Sequence, residues 1–176
     1  MPGTTPQKWV AAWRDRTDVP LELVHAPVTD QLTLIRAGDV DMGLVRLGER
    51  PHDLHAIPLY TETTVVVVPA DHVLTAVDEV STDDLEGEVV IRTLDDPLTW
   101  QSHPGQPAVG PPPDVAGAVE LVAAGVGLLV VPQSLARLHH RRDLTYRPLT
   151  GAPTSTVQLA WHPDRADERT ETFVGV

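Results

Sequence analysis

Residues 31–45 read QLTLIRAGDVDMGLV, and how this stretch divides decides the fold. Residues 30–37 predict a helix, with Thr29 placed to cap its start and Gly38 at the position that accepts a left-handed backbone. Residues 41–45 (DMGLV) then predict a strand. Upstream, residues 20–24 (PLELV) have the composition of a buried strand. Together these segments make a strand–helix–strand unit, which implies parallel pairing. Before it, Thr5 and Pro6 open a helix that runs through Arg16. Thr5 suits its N-cap and Pro6 its first turn, while Trp9, Val10 and Trp13 share one face.

Downstream the alternation continues. Residues 56–60 (AIPLY) and 63–69 (TTVVVVP) predict strands, the second apolar enough to be covered on both faces. Ser81 caps a single helical turn through Leu85, and residues 89–93 (VVIRT) predict a further strand. Six prolines crowd residues 95–113, a loop-rich region. Asp114 opens a helix through Ala124; Gly125-Val126-Gly127 ends it and leads into a strand at 128–131. A helix after Pro132-Gln133-Ser134, two strand-like runs at 144–149 and 156–161, and an acidic tail complete the chain. The class is α/β with a largely parallel sheet.

Composition narrows the function. The 176 residues carry a formal charge of −12, which opposes binding to a phosphate backbone. The basic cluster Arg137, His139, His140, Arg141 and Arg142 reads as the solvated end of a helix. No cysteine is present, so disulfides, thiolate catalysis and cysteine-based zinc sites are excluded. No apolar run approaches the roughly 20 residues needed to span a membrane, and the first five residues have no signal-peptide pattern, so a cytoplasmic location is expected. Eight histidines are present, but none pairs with a carboxylate at the helical spacing of a zinc enzyme. Of the serines, Ser81 and Ser134 read as caps, and none of Ser81, Ser102, Ser134 and Ser155 lies in a nucleophile elbow. Neither an enzyme nor a cofactor or metal is expected.

Four stretches resemble the effector-binding domain of LysR-type transcription regulators. They are Gln31–Leu32 with residues 35–45; Pro58-Leu59-Tyr60-Thr61-Glu62 with residues 67–74; Val80 to Leu85 with Gly87; and residues 119–127 with Val131-Pro132. The resemblance implies a type 2 periplasmic-binding-protein-like fold, with two Rossmann-like subdomains joined by two crossover strands and a ligand between them. Residues 1–68 plus 149–176 would form subdomain I and 69–148 subdomain II, with 63–69 and 156–161 as crossovers. By this resemblance the winged helix-turn-helix and the first strand of the domain are expected to lie outside these residues, and the proline usual after the His of the second motif is Val73. The implied partners are a small organic effector, a second copy of the chain in a dimer or tetramer, and DNA only through a missing head or a partner protein. A headless domain acting through a separate subunit and a solute-binding protein of the same fold are the competing readings.

Ligands of open α/β sheets sit at the carboxyl ends of the strands, where helix N-termini offer free N–H groups to anions. Candidate contacts on the first wall are therefore Thr4 and Thr5 before the first helix, and Val28 and Thr29 before the second. The family places a hydroxyl residue where Val28 stands. Arg46, after the strand at 41–45, is suited to hold a carboxylate bidentately, or else pairs with Glu49 at the surface. Arg92 and Thr93 are the matching candidates on the other wall. Trp100 either stacks on an effector or plugs its loop; Trp9 and Trp13 serve a dimer contact or the core.

Overall fold

The computed structural model describes residues 3–4, 6–47 and 51–175. In chain order its elements are α1 (Gln7–Arg16), α2 (Gln31–Ala37), β1 (Met42–Leu47), β2 (His55–Glu62), β3 (Thr64–Pro69), β4 (Val80–Ser81), β5 (Val89–Ile91), β6 (Gln106–Pro107), α3 (Val115–Ala123), β7 (Leu128–Pro132), α4 (Gln133–Leu138), β8 (Leu144–Thr150), β9 (Ser155–Trp161) and α5 (Glu168–Val174). They build two sheets. One has the order β1-β9-β2; the other runs β4-β8-β3-β7-β5-β6.

The six-stranded sheet is organised by β3. Val65 and Val67 face one core with Ile91, Val119, Val122 and Leu135, while Val66 and Val68 face another with Val80, Leu85, Leu98 and Val130. Side chains alternate across a strand, so a continuous valine run buries both faces. Each buried valine contributes on the order of 1.5 to 2 kcal/mol. The three-stranded sheet packs under α2 around Ile35, Val45, Leu54, Ala56 and Ala160. Two lobes with separate cores result.

Local signals place several elements where the sequence predicts them. Gly38 adopts φ +82° and its N–H bonds to the carbonyls of Leu34 and Ile35, closing α2. Asp114 accepts from the Gly117 N–H at 2.8 Å and caps α3. The Ser81 hydroxyl and the Asp84 carboxylate cap each other's backbone.

Other expectations need correction. Residues 20–24 form no strand; Leu23 is 60% and Val24 53% exposed. A strand is held by ladder bonds to a neighbour, and no described strand lies beside this segment. Pairing is not largely parallel either: β9 runs antiparallel to both β1 and β2, and β3 antiparallel to both β7 and β8. Only β4/β8, β5/β6 and β5/β7 are parallel. Because β3 pairs with β7 and β8, the chain leaves the three-stranded sheet at Thr63, short of the boundary expected at 68/69, and returns between β8 and β9. Thr29 does not cap α2: a single 3-10 turn, Val28–Asp30, runs into that helix, and the Thr29 hydroxyl donates to Asp30. The expected Thr5 cap lies outside the described residues. Ser134 is not the cap of α4: the helix begins at Gln133, with Pro132 at the N-cap position and no side-chain cap. The basic cluster straddles the end of α4, with Arg137 in the last turn and His139 at the C-cap; beyond it Arg141 is bonded to Glu120 and Asp143. The acidic tail contains α5, whose start carries an Asp167–Thr170 capping box. Trp13 is core: it is buried, its indole donates to the Val19 carbonyl at 2.8 Å, and Phe173 packs on it at 5.6 Å.

Candidate functional site

On the three-stranded side, the site is built at the carboxyl end of β1. Arg46 lies opposite Val157 of β9, and Glu62 of β2 lies opposite Ser155 on the other edge of that strand. Residues 155 and 157 point to the same face, so the two long side chains meet over β9. Arg46 Nε bonds Glu62 Oε2 at 2.7 Å, with side-chain exposures of 0% and 6%. The guanidinium also donates to the Ser134 hydroxyl at 2.7 Å. The Arg46 backbone N–H donates to Gln31 Oε1. Arg46 is thus not a surface residue; its charge is already met inside the protein. Gln31 Nε2 and Ser155 Oγ are buried with no hydrogen-bond partner among the described atoms.

The other proposed contacts on this side divide. Thr4 is half-buried and engaged within the protein, in the same turn as Gly3, which abuts Arg46 and Ser134. Val28 is half-buried and Thr29 exposed, both in the turn that leads into Gln31. Thr5 lies outside the described residues.

Arg92 and Thr93 lie on the second sheet, just past β5. They open a loop in which burial dominates the electrostatics. Desolvation raises the Asp96 carboxyl to about 6, against hydrogen bonds from Leu98 and Trp100 and the nearby charge of Arg92, while Asp95 adds to the rise. Asp95 is also raised, again chiefly by desolvation, although the Thr93 side chain bonds to it. His103 is pushed down by desolvation and by Arg92. Arg92 Nε and Asp95 Oδ1 are buried without partners among the described atoms. Trp100 packs on the core that holds Val66, Val68 and Leu85, and its ring lies 5.1 Å from that of His103, so it plugs the loop. A groove of about 230 Å³, where His72 faces Glu88 at 3.7 Å, opens at the opposite end of β5 and β7.

A family model, the LysR substrate binding domain, matches residues 7–176. The chain belongs to this family. This LysR domain is 25% identical over 172 residues to the Hca operon transcriptional activator HcaR of Escherichia coli K12, covering 90% of the chain and 57% of that protein. It therefore spans little more than half of that relative. Among solved structures, the effector binding domain of a BenM variant superposes with a TM-score of 0.77 at 20% identity, over 96% of this chain and 84% of that one. The BenM domain with its effector benzoate gives 0.76 at 20% identity, over 95% and 81%. Oxidised OxyR gives 0.74 at 18% identity, over 99% and 88%. The LysR domain has the type 2 periplasmic-binding-protein-like fold of these structures.

Sequence reasoning singled out Arg46 but missed the residues that hold it. Glu62 ends the second family-like stretch, so its position was visible, but its pairing depends on the strand order around β9. Gln31 and Ser134 read as helix-start residues; only the fold brings them to one arginine, Gln31 to its backbone N–H and Ser134 to its guanidinium.

Proposed function

We propose that the chain is the sensing part of a LysR-type transcription regulator. A small organic molecule is bound between the two lobes, at the strand ends that carry Arg46 and Arg92. The supporting observation is the pairing of two separately cored sheets with cationic strand ends, in a family for which BenM provides a benzoate complex. The chemistry is binding: the ligand changes the balance between lobe arrangements, and no bond is made or broken. An anionic group on the ligand suits the guanidinium donors, though Glu62 already balances one of them. Association of the chain into pairs or tetramers carries the signal. DNA contact falls to a helix-turn-helix segment or partner outside these residues, as the charge of −12 opposes direct binding.

Titration calorimetry against benzoate and a panel of aliphatic, aromatic and hydroxylated carboxylic acids tests this reading. At least one member is expected to bind and to raise the melting temperature. Absence of heat and of any thermal shift across the panel would refute it.

A further inference from the structure

We infer that Arg46 couples the two lobes, so that lobe movement and occupancy of its guanidinium are a single event. Elements around the three-stranded sheet make only sparse contact with those around the six-stranded one. The polypeptide crosses between them at Thr63 and between β8 and β9. There the Gln133 N–H donates to the Thr63 carbonyl at 2.9 Å and the Thr64 hydroxyl to that of Pro153 at 2.6 Å. These bonds lie on the hinge itself and survive a rotation about it.

The Arg46 group does not. Arg46 belongs to β1 of one lobe, Ser134 to α4 of the other, and Glu62 ends the strand that leads into the crossing. One guanidinium therefore bonds across the lobes to Ser134 at 2.7 Å while it pairs with Glu62 of its own sheet at 2.7 Å. Gly3 closes the group: a Cβ there would lie 2.7 Å from the Ser134 hydroxyl and 3.0 Å from Arg46 Nη2, at a backbone φ of +76°. Separating the lobes pulls a donor of a buried cation away from its acceptor, which a low-dielectric site opposes strongly. In turn, an anion that takes the guanidinium from Glu62 or Ser134 alters what holds the lobes together. That regulatory use rests on the sensor reading; the coupling itself rests on geometry alone.

The chain has no native cysteine, so two can be added for spin labels, Thr33→Cys on α2 and Asp83→Cys beside β4. Electron–electron resonance on the labelled chain, without added ligand, should give one narrow distance. Ser134→Ala removes the hydrogen bond between Arg46 and α4 and should broaden the distribution or shift it to longer distance; Ser134→Thr should restore it. Arg36→Ala, which removes an ion pair within one lobe, should change nothing. The comparison of Ser134→Ala with Ser134→Thr decides the matter. An unchanged distribution in Ser134→Ala, or equal broadening in Arg36→Ala, overturns the coupling. Because no ligand is used, failure here leaves the calorimetric result standing, and an empty calorimetric panel leaves this one standing.

Discussion

Arg165 reaches back 130 positions to donate to the carbonyl of Ile35 at 2.9 Å, and its other nitrogen donates to that of Arg36 at 3.0 Å. Both carbonyls belong to the last turn of α2, where backbone acceptors lack the i+4 N–H of a continuing helix and negative potential gathers; that of Ile35 also accepts from the Gly38 N–H. A residue after β9 thereby fastens the helix that precedes β1. Arg165→Ala should destabilise the chain by about 1 to 2 kcal/mol in urea unfolding, and Arg165→Lys should recover part of the loss. No change in the midpoint for Arg165→Ala would show that water replaces the guanidinium at no cost.

Asp96 gives stability a readable pH dependence. Its carboxyl titrates near 6 in the folded chain, against 3.8 ordinarily, because burial disfavours the charge. Between about pH 4 and 6 the folded state holds more of this proton than the unfolded state does, so this contribution to stability falls as pH rises through that window. Asn keeps the acceptor that serves Leu98 and Trp100 but cannot ionise. The stability of Asp96→Asn relative to the unaltered chain should therefore rise by on the order of 2 kcal/mol between pH 4 and pH 8. A difference that stays flat with pH would place the carboxyl in water.

Asp114 tests a cap that also bears on that loop. Its side chain holds the start of α3, and its charge helps to raise Asp95. Asp114→Ala should cost about 1 kcal/mol, and Asp114→Asn should cost little, since Asn caps as well. Both should let Asp95 ionise at lower pH, measurable by carboxyl carbon NMR; a shift in one variant only would separate the charge from the cap.

Leu23 and Leu85 should behave as opposites. Leu85 is fully buried in the six-stranded lobe, in the core shared with Val66 and Val68, whereas Leu23 is 60% exposed. Leu85→Ala should cost 2 to 5 kcal/mol by the usual cost of a core deletion, and Leu23→Ala should fall within about 0.5 kcal/mol of zero. A large loss at Leu23 would mean that something covers residues 20–24.

That pair also marks how far the sequence can be read. Gly38, Ser81 and Asp114 act on their own turns, and the valine run of β3 announces burial on both faces without reference to any other strand. Such local signals located the family pattern and most elements. Residues 20–24 carry the composition of a strand, but pairing is a property of neighbours, and composition does not report whether one is present. The candidate site was half legible. A cation at the end of β1 could be expected, whereas its partners come from the strand on the far side of β9 and from a helix 88 positions away, contacts that only the folded order creates.

The two short outer strands of the six-stranded sheet have a bearing on solubility. At two residues each, β4 and β6 offer almost no ladder to an incoming chain, and Pro107 in β6 has no N–H to give. Strand addition from another chain is thereby discouraged at both ends of the six-stranded sheet, and Pro58 likewise interrupts β2 in the other sheet.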